Sequence, residues 1–361
     1  MVSQTAQQFE LTQRPPASDR SIAAWLFTMA AMVLVMVSIG GITRLTGSGL
    51  SIVEWRPLMG FMPPLSETEW MRVFSLYQTS PQYQEINAGM TLSGFKTIFW
   101  WEFVHRFWGR LIGVVFFLPF LWFVLRRQIG LSLAPRLVLL FFLGGAQGVL
   151  GWYMVQSGLA DIPEVSQYRL AAHLVLALAL YAALFWTALQ LRHPEPETTP
   201  DRRLAGMRAL AVATVVLVAV TILSGAFVAG TDAGFAYNTF PFMDGRLVPV
   251  GYMPQPWYAS PFEDIATIQF HHRVLAIVTL GVAVATWWRS RWIVLVQRAR
   301  RVANALLVIV GLQVALGVST LLFVVPVPLA AAHQAGAVLL LTVTLWLIFE
   351  LRVPNSSAAV R

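Results

Sequence analysis

Eight apolar runs, each long enough to cross a bilayer, constrain this 361-residue chain more than any other feature. They fall at roughly 22–42, 100–125, 135–155, 169–190, 207–229, 267–288, 303–324 and 330–351, and about 20 such residues span the hydrocarbon core. A bilayer offers no water to an unpaired backbone group, so a spanning segment of this length must be a helix. Only 12% of the residues are charged, where a soluble domain carries about 25%. The expected fold is an all-α polytopic membrane protein. No small-residue cleavage site follows the first run, which is therefore expected to be retained as a helix.

The net charge of +8 does not point to nucleic acid. Lys96 is the one lysine, and the arginines collect in alternate connections: Arg126, Arg127 and Arg136; Arg192, Arg202, Arg203 and Arg208; Arg289, Arg291, Arg298, Arg300 and Arg301. The short intervening connections are nearly bare, with Arg169 in one and no basic residue in 325–329. This is the positive-inside pattern. With Arg14 and Arg20 ahead of the first run, it predicts both termini in the cytoplasm and two long loops, 43–99 and 230–266, outside. Those loops carry Gly, Pro and aromatic residues suited to interfacial lids.

The two halves repeat. Gly40 and the Thr46-Gly47-Ser48-Gly49 turn match Gly225 and Thr231-Asp232-Ala233-Gly234; His105-Arg106 matches His272-Arg273; Gln147 and Gly151 match Gln313 and Gly317; His173 matches His333. Four spans per half is an even number, so both halves enter the membrane in the same direction. That predicts two tandem four-helix bundles related by a pseudo-two-fold axis along the membrane normal. The expected division is a tail at 1–21, an N-terminal half at 22–190, a linker at 191–206, a C-terminal half at 207–351 and a tail at 352–361.

An imidazole inside a membrane span is costly and marks function by default. His105, His173, His272 and His333 each begin a span that enters from outside, so all four are expected at similar depth toward the outer face. Within each half the two come from different helices, as a porphyrin clamped between two imidazoles requires. Cysteine is absent, which excludes disulfides, thiolate ligation and iron–sulfur clusters. His271 points about 100° away from its neighbour and is not selected. His193, beside Pro194 in an arginine-rich connection, reads as solvated.

One carboxylate breaks the symmetry. Glu102 lies one turn before His105, and the matching residue is the neutral Gln269. Glu102 either pairs with Arg106 or Arg110, or handles a proton or stabilises a cation in the first half only. The second reading makes the first half catalytic and the second a carrier of electrons. Arg44, Arg106, Arg110 and Arg273 lie at outer span ends, where arginine snorkels or pairs with haem propionates; Arg106 and Arg273 are the favoured propionate partners. Trp100, Trp101, Trp108, Trp257 and Tyr258 read as an interfacial belt. Gln147 and Gln313, with their glycines, read as close helix packing.

The run Gly40-Gly41-Ile42-Thr43-Arg44-Leu45-Thr46-Gly47-Ser48-Gly49-Leu50-Ser51, the segment Phe61-Met62-Pro63-Pro64 and the long run from Phe95-Lys96 to Trp100-Trp101-Glu102-Phe103-Val104-His105-Arg106 resemble haem A synthases. The likeness is greatest to mitochondrial and alphaproteobacterial forms and extends from about residue 20 to 350. It implies an inner-membrane enzyme that oxidises the C8 methyl of haem O to the formyl group of haem A, for terminal oxidases. It further implies substrate near His105 and His173 with Glu102 essential, and haem b between His272 and His333. Some bacterial members carry cysteine pairs in the outer loops; this chain does not. Two successive oxidations would pass through an alcohol and a geminal diol that loses water. No Gly-x-Gly-x-x-Gly follows a strand, so electrons are expected from quinol or an unidentified partner. The implied partners are haem O synthase, oxidase-assembly factors and lipid; nucleic acid is not among them, and a homo-oligomer is compatible with the pattern. The rival readings are a dihaem b-type electron carrier that leaves haem unmodified and a parallel-repeat transporter relaying protons through histidine.

Overall fold

The computed structural model describes residues 16–54, 60–160, 163–194 and 202–352. The tails and linker expected from the sequence lie partly outside them, Arg14 included. Among the described residues eight helices are long and apolar enough to cross a membrane: α1 (Pro16–Leu45), α2 (Leu92–Leu125), α3 (Ala134–Leu159), α4 (Gln167–Arg192), α5 (Arg202–Gly230), α6 (Ile265–Ser290), α7 (Gln297–Leu322) and α8 (Val327–Glu350). Among the described residues no strand is formed. The protein is an all-helical, multi-pass membrane protein, as the apolar runs predict.

The largest departure is at α2, which begins at Leu92 rather than near residue 100. Thr91 caps it by accepting from the Gly94 amide, and Phe95 and Phe99 on the extension are buried. Their partners come from the long connection between α1 and α2, which forms the helix Glu67–Gln78 and a short turn of helix at Pro81–Glu85. Trp70, Phe74 and Tyr77 pack with Phe95 and Phe99 into a separate aromatic core. Burying five aromatic side chains together is what carries α2 beyond its apolar run. This connection is therefore a small folded unit. Glu54 anchors it by pairing with Arg72 at 3.1 Å.

In the first half α1 packs on α2 and α4, and α3 on α2 and α4; in the second α5 packs on α6 and α8, and α7 on α6 and α8. Across the halves α1 meets α8, α4 meets α5, and α4 meets α8. The main apolar core sits along these central helices. The flanks of α2, α3 and α7 leave Leu118, Trp122, Phe142, Val308 and Leu312 exposed, the surface a bilayer would cover.

At the arginine-rich ends the structure corrects the reading of His193. Its ring accepts a hydrogen bond from Arg298 at 2.8 Å and its carbonyl one from Arg352 at 3.0 Å. Arg298 also pairs at 3.3 Å with Glu350, a carboxylate 2% exposed. A buried carboxylate requires such a partner, and His193 completes the cluster that ties the end of α4 to α7 and α8.

Candidate functional site

Each of the four selected histidines rests against a glycine on a neighbouring helix. A Cβ placed at Gly40 of α1 would lie 3.4 Å from His105 Nε2; at Gly151 of α3, 2.9 Å from His173 Cε1; at Gly225 of α5, 3.1 Å from His272 Cε1; at Gly317 of α7, 2.7 Å from His333 Cε1. Spacing along the chain suggests helix packing for Gly151 and Gly317; three-dimensional contact makes all four glycines ring seats. The signal was present, since both glycine pairs are part of the repeat, but spacing alone cannot tell a glycine that admits a helix from one that admits an imidazole. Gln147 and Gln313 serve the same end: their amides donate to the His173 and His333 carbonyls at 2.9 and 3.0 Å.

Within each half the two histidines come from different helices, His105 from α2 and His173 from α4, His272 from α6 and His333 from α8. All four rings are half-buried. His173, His272 and His333 stand within about two turns of their helix starts, whereas His105 lies more than three turns into α2, because that helix begins at Leu92, ahead of its apolar run. His271 turns away and meets the Tyr252 hydroxyl at 3.0 Å.

A haem with two axial imidazoles fits this donor set. The rings come in pairs from separate helices, glycines clear the space beside them, and the buried Nδ1 atoms of His173 and His272 have no hydrogen-bond partner among the described residues. A compact ion cage does not fit: among the described residues no group of three or more His, Asp or Glu side chains converges.

Glu102 is 2% exposed and fully engaged. One carboxylate oxygen accepts from Arg106 at 2.6 Å; the other accepts from the Ser51 hydroxyl and the Ile52 amide, both at 2.7 Å. Arg106 in turn donates to the carbonyls of Ile52 at 2.8 Å and Glu54 at 3.3 Å. The pair thus grips the loop that follows α1, and that loop inserts Leu50 against Gly158 of α3. Sequence reasoning missed Ser51 and Ile52, since a loop residue some fifty positions away leaves no periodic signal.

The second half makes the same grip with the opposite hydrogen-bond polarity. Gln269 donates to the carbonyls of Ala233 at 2.8 Å and Tyr237 at 3.3 Å, and accepts from Arg273 at 3.1 Å. Arg273 donates to the Tyr237 and Thr239 carbonyls, each at 2.7 Å. Both arginines favoured as propionate partners therefore spend donors on loop backbone. Arg44 crosses to the other half, donating to the Ala229 carbonyl at 2.8 Å and Asp232 at 3.0 Å, while Arg110 lies over the Phe61 ring. Trp108 is more than a belt residue: its indole donates to the Met32 carbonyl at 2.9 Å, joining α2 to α1.

Residues 23–345 match a family described as cytochrome oxidase assembly protein, COX15-CtaA. The chain is 50% identical over 351 residues to the Heme A synthase of Nitrosospira multiformis, covering 97% of this chain and 98% of that one. It is 51% identical over 343 residues to the Heme A synthase of Granulibacter bethesdensis, covering 94% and 89%. With Heme A synthase COX15 of Arabidopsis thaliana it shares 45% over 352 residues, 95% of this chain and 77% of the plant protein. Similarity of this extent, running through every span that carries a paired histidine, places the chain in the COX15-CtaA family of cytochrome oxidase assembly proteins.

Proposed function

We propose that this protein is a haem A synthase, a membrane oxidoreductase that converts the C8 methyl of haem O to a formyl group. The observation that carries the reading is the pair of glycine-seated histidine sites in a chain half identical to Heme A synthases along nearly its full length. Haem O is the substrate and haem A the product. The first half, 22–190, receives the substrate between His105 and His173; the second, 207–351, holds haem b between His272 and His333. A pseudo-two-fold axis along the membrane normal relates them, supported by the same four helix packings in each half.

Bound by two imidazoles, haem b would supply a one-electron carrier beside the substrate site. The chain's own contribution is placement. Gly40 and Gly151 set the imidazole positions, and Gln147 holds the His173 backbone. Glu102, fixed by Ser51, Ile52 and Arg106 one turn before His105, holds the loop that follows α1 in place over the first half. Gln269 performs the same gripping in the second half.

The arginine distribution supports an inner-membrane orientation with both termini cytoplasmic and the haem sites toward the outer face. Haem O synthase, oxidase-assembly factors and an electron donor are the partners this role requires. The test is purification from membranes supplied with haem O, followed by acid extraction and separation of the haems. Haem A together with haem b supports the synthase; haem b alone means an electron carrier; no haem means neither.

A further inference from the structure

The two histidine pairs meet through one residue that neither pairing uses. On α1, Val37, Gly41 and Arg44 recur at i, i+4 and i+7 and so share a face. Each touches the second half. The Val37 carbonyl accepts from Gln334 Nε2 at 3.1 Å. At Gly41 the Gln334 amide oxygen fills the place a Cβ would take, so a side chain there must displace that amide. Arg44 reaches the Ala229 carbonyl and Asp232. Gly40, next to Gly41, is the seat of His105, and Gln334 directly follows His333 in the chain. A continuous connection therefore runs from the His105 ring through Gly40 and Gly41 to the Gln334 amide and on to His333.

The repeat offers a second such connection, built differently. The residue matching Gln334 is Leu174, which follows His173, and the residue matching Gly41 is Ala226, which follows Gly225. Leu174 packs against the apolar cluster of Ala171, Ala226, Phe227, Ala233 and Ile268. One bridge is thus an ordinary apolar contact between a leucine and a cluster holding an alanine. The other is a polar wedge whose amide lies where a Gly41 Cβ would stand and which adds a directional hydrogen bond. A half-buried amide at an apolar helix interface is costly unless satisfied, and here its donor is met by a backbone carbonyl on the opposite half. Such a bond fixes rotation and translation of one helix against another, which apolar packing does only loosely.

We propose that Gln334 is a positioning residue that sets the placement of the His105 site relative to the His333 site, through its fit against Gly41 and its bond to Val37. It rests on the haem A synthase reading above, in which the second site serves the first and their relative placement matters. A substitution at Gly41, in the half that holds no haem b, should then be felt at haem b in the other half.

The experiment is a double-mutant cycle on the full-length protein purified with its haem b. Gly41→Ala drives a methyl into the Gln334 amide; Gln334→Ala vacates that space; the double variant has room for both. Gly41→Ala is expected to shift the visible α band and electron paramagnetic resonance g values of haem b, and to lower haem A formed per haem b on the order of tenfold. The double variant should return the spectrum toward that of the parent, an interaction of opposite sign to simple addition. Gln334→Leu, which copies the first-half residue, should fold yet lose the Val37 bond and broaden the same signals. An unshifted haem b signal in Gly41→Ala, or effects that merely add, overturns the inference while leaving the synthase reading intact. If Gly41→Ala yields no folded protein, recovery in the Gln334→Ala background supports the wedge, and failure to recover overturns it. A parent protein that binds no haem b defeats the synthase reading itself, and this inference with it.

Discussion

Replacing Glu102 by glutamine changes one oxygen to an NH2 group and tests what the carboxylate does. In the parent, both oxygens accept: one from Arg106 at 2.6 Å, the other from Ser51 and Ile52 at 2.7 Å. Glutamine can satisfy only one side. With its oxygen toward Ser51 and Ile52, the new NH2 faces the Arg106 guanidinium, donor against donor. Turned over, it faces the Ile52 amide. The site is 2% exposed at Glu102 and 13% at Arg106, so little water can relieve the mismatch. Hydrogen bonds to charged groups contribute about 1.5–3 kcal/mol each, and breaking one member of a buried pair costs about 3–5 kcal/mol. Because the Ser51 hydroxyl can rotate to accept, and Arg106 keeps the Ile52 and Glu54 carbonyls, we take about 3 kcal/mol as the cost of holding the loop. That makes the open loop roughly a hundredfold more populated. Limited proteolysis within residues 46–54 of the purified protein reads that population directly, with cleavage rising by about the same factor when reclosing is fast. Haem A formation should fall while haem b is retained. Cleavage within about threefold of the parent would refute the argument that the carboxylate latches this loop. The mirror substitution, Gln269→Glu, sets an oxygen against the Ala233 and Tyr237 carbonyls and should loosen the second loop in the same assay.

His272→Ala should deplete haem b from the purified protein, read by pyridine haemochrome, whereas Glu102→Ala should not; loss of haem b from Glu102→Ala with haem A production intact would reverse the division between the halves. The glycine seats should tolerate alanine in order of their clearance: Gly317→Ala, whose methyl would lie 2.7 Å from His333, should lose haem b, and Gly40→Ala, at 3.4 Å from His105, should keep both pairs nearly unchanged. Equal occupancy in the two variants would argue against the seats. Burial, helped by the negative charge of Glu102, raises the Tyr77 phenol above its ordinary value of 10.0. The folded state therefore prefers the neutral phenol, so this contribution to stability is whole below about pH 10 and is lost as the pH rises through the raised value. Tyr77→Phe should flatten the alkaline loss of outer-loop protection measured by the same proteolysis.

The number of spans, the duplication and the four histidines could be read from the chain because each rests on local chemistry. A 20-residue apolar run must be helical in a bilayer whatever surrounds it, and an imidazole in such a run is conspicuous wherever it falls. The Glu102/Gln269 difference is likewise visible as a break in the repeat. What could not be read is what each group touches. Whether Glu102 is an open acid or a buried latch depends on Ser51 and Ile52, brought over it by the path of a loop. The seats at Gly40, Gly151, Gly225 and Gly317 arise from close approach of helices whose order alone a sequence conveys. The extension of α2 to Leu92 follows from aromatic partners about twenty residues upstream, and the hydrogen-bonded place of His193 from Arg298 over a hundred residues away. Helix propensity, hydropathy and period act over a few turns and are written along the chain. Contacts between helices depend on rotation and register, which are decided only when side chains compete for the same space, as the Gln334 amide and a Cβ at Gly41 do.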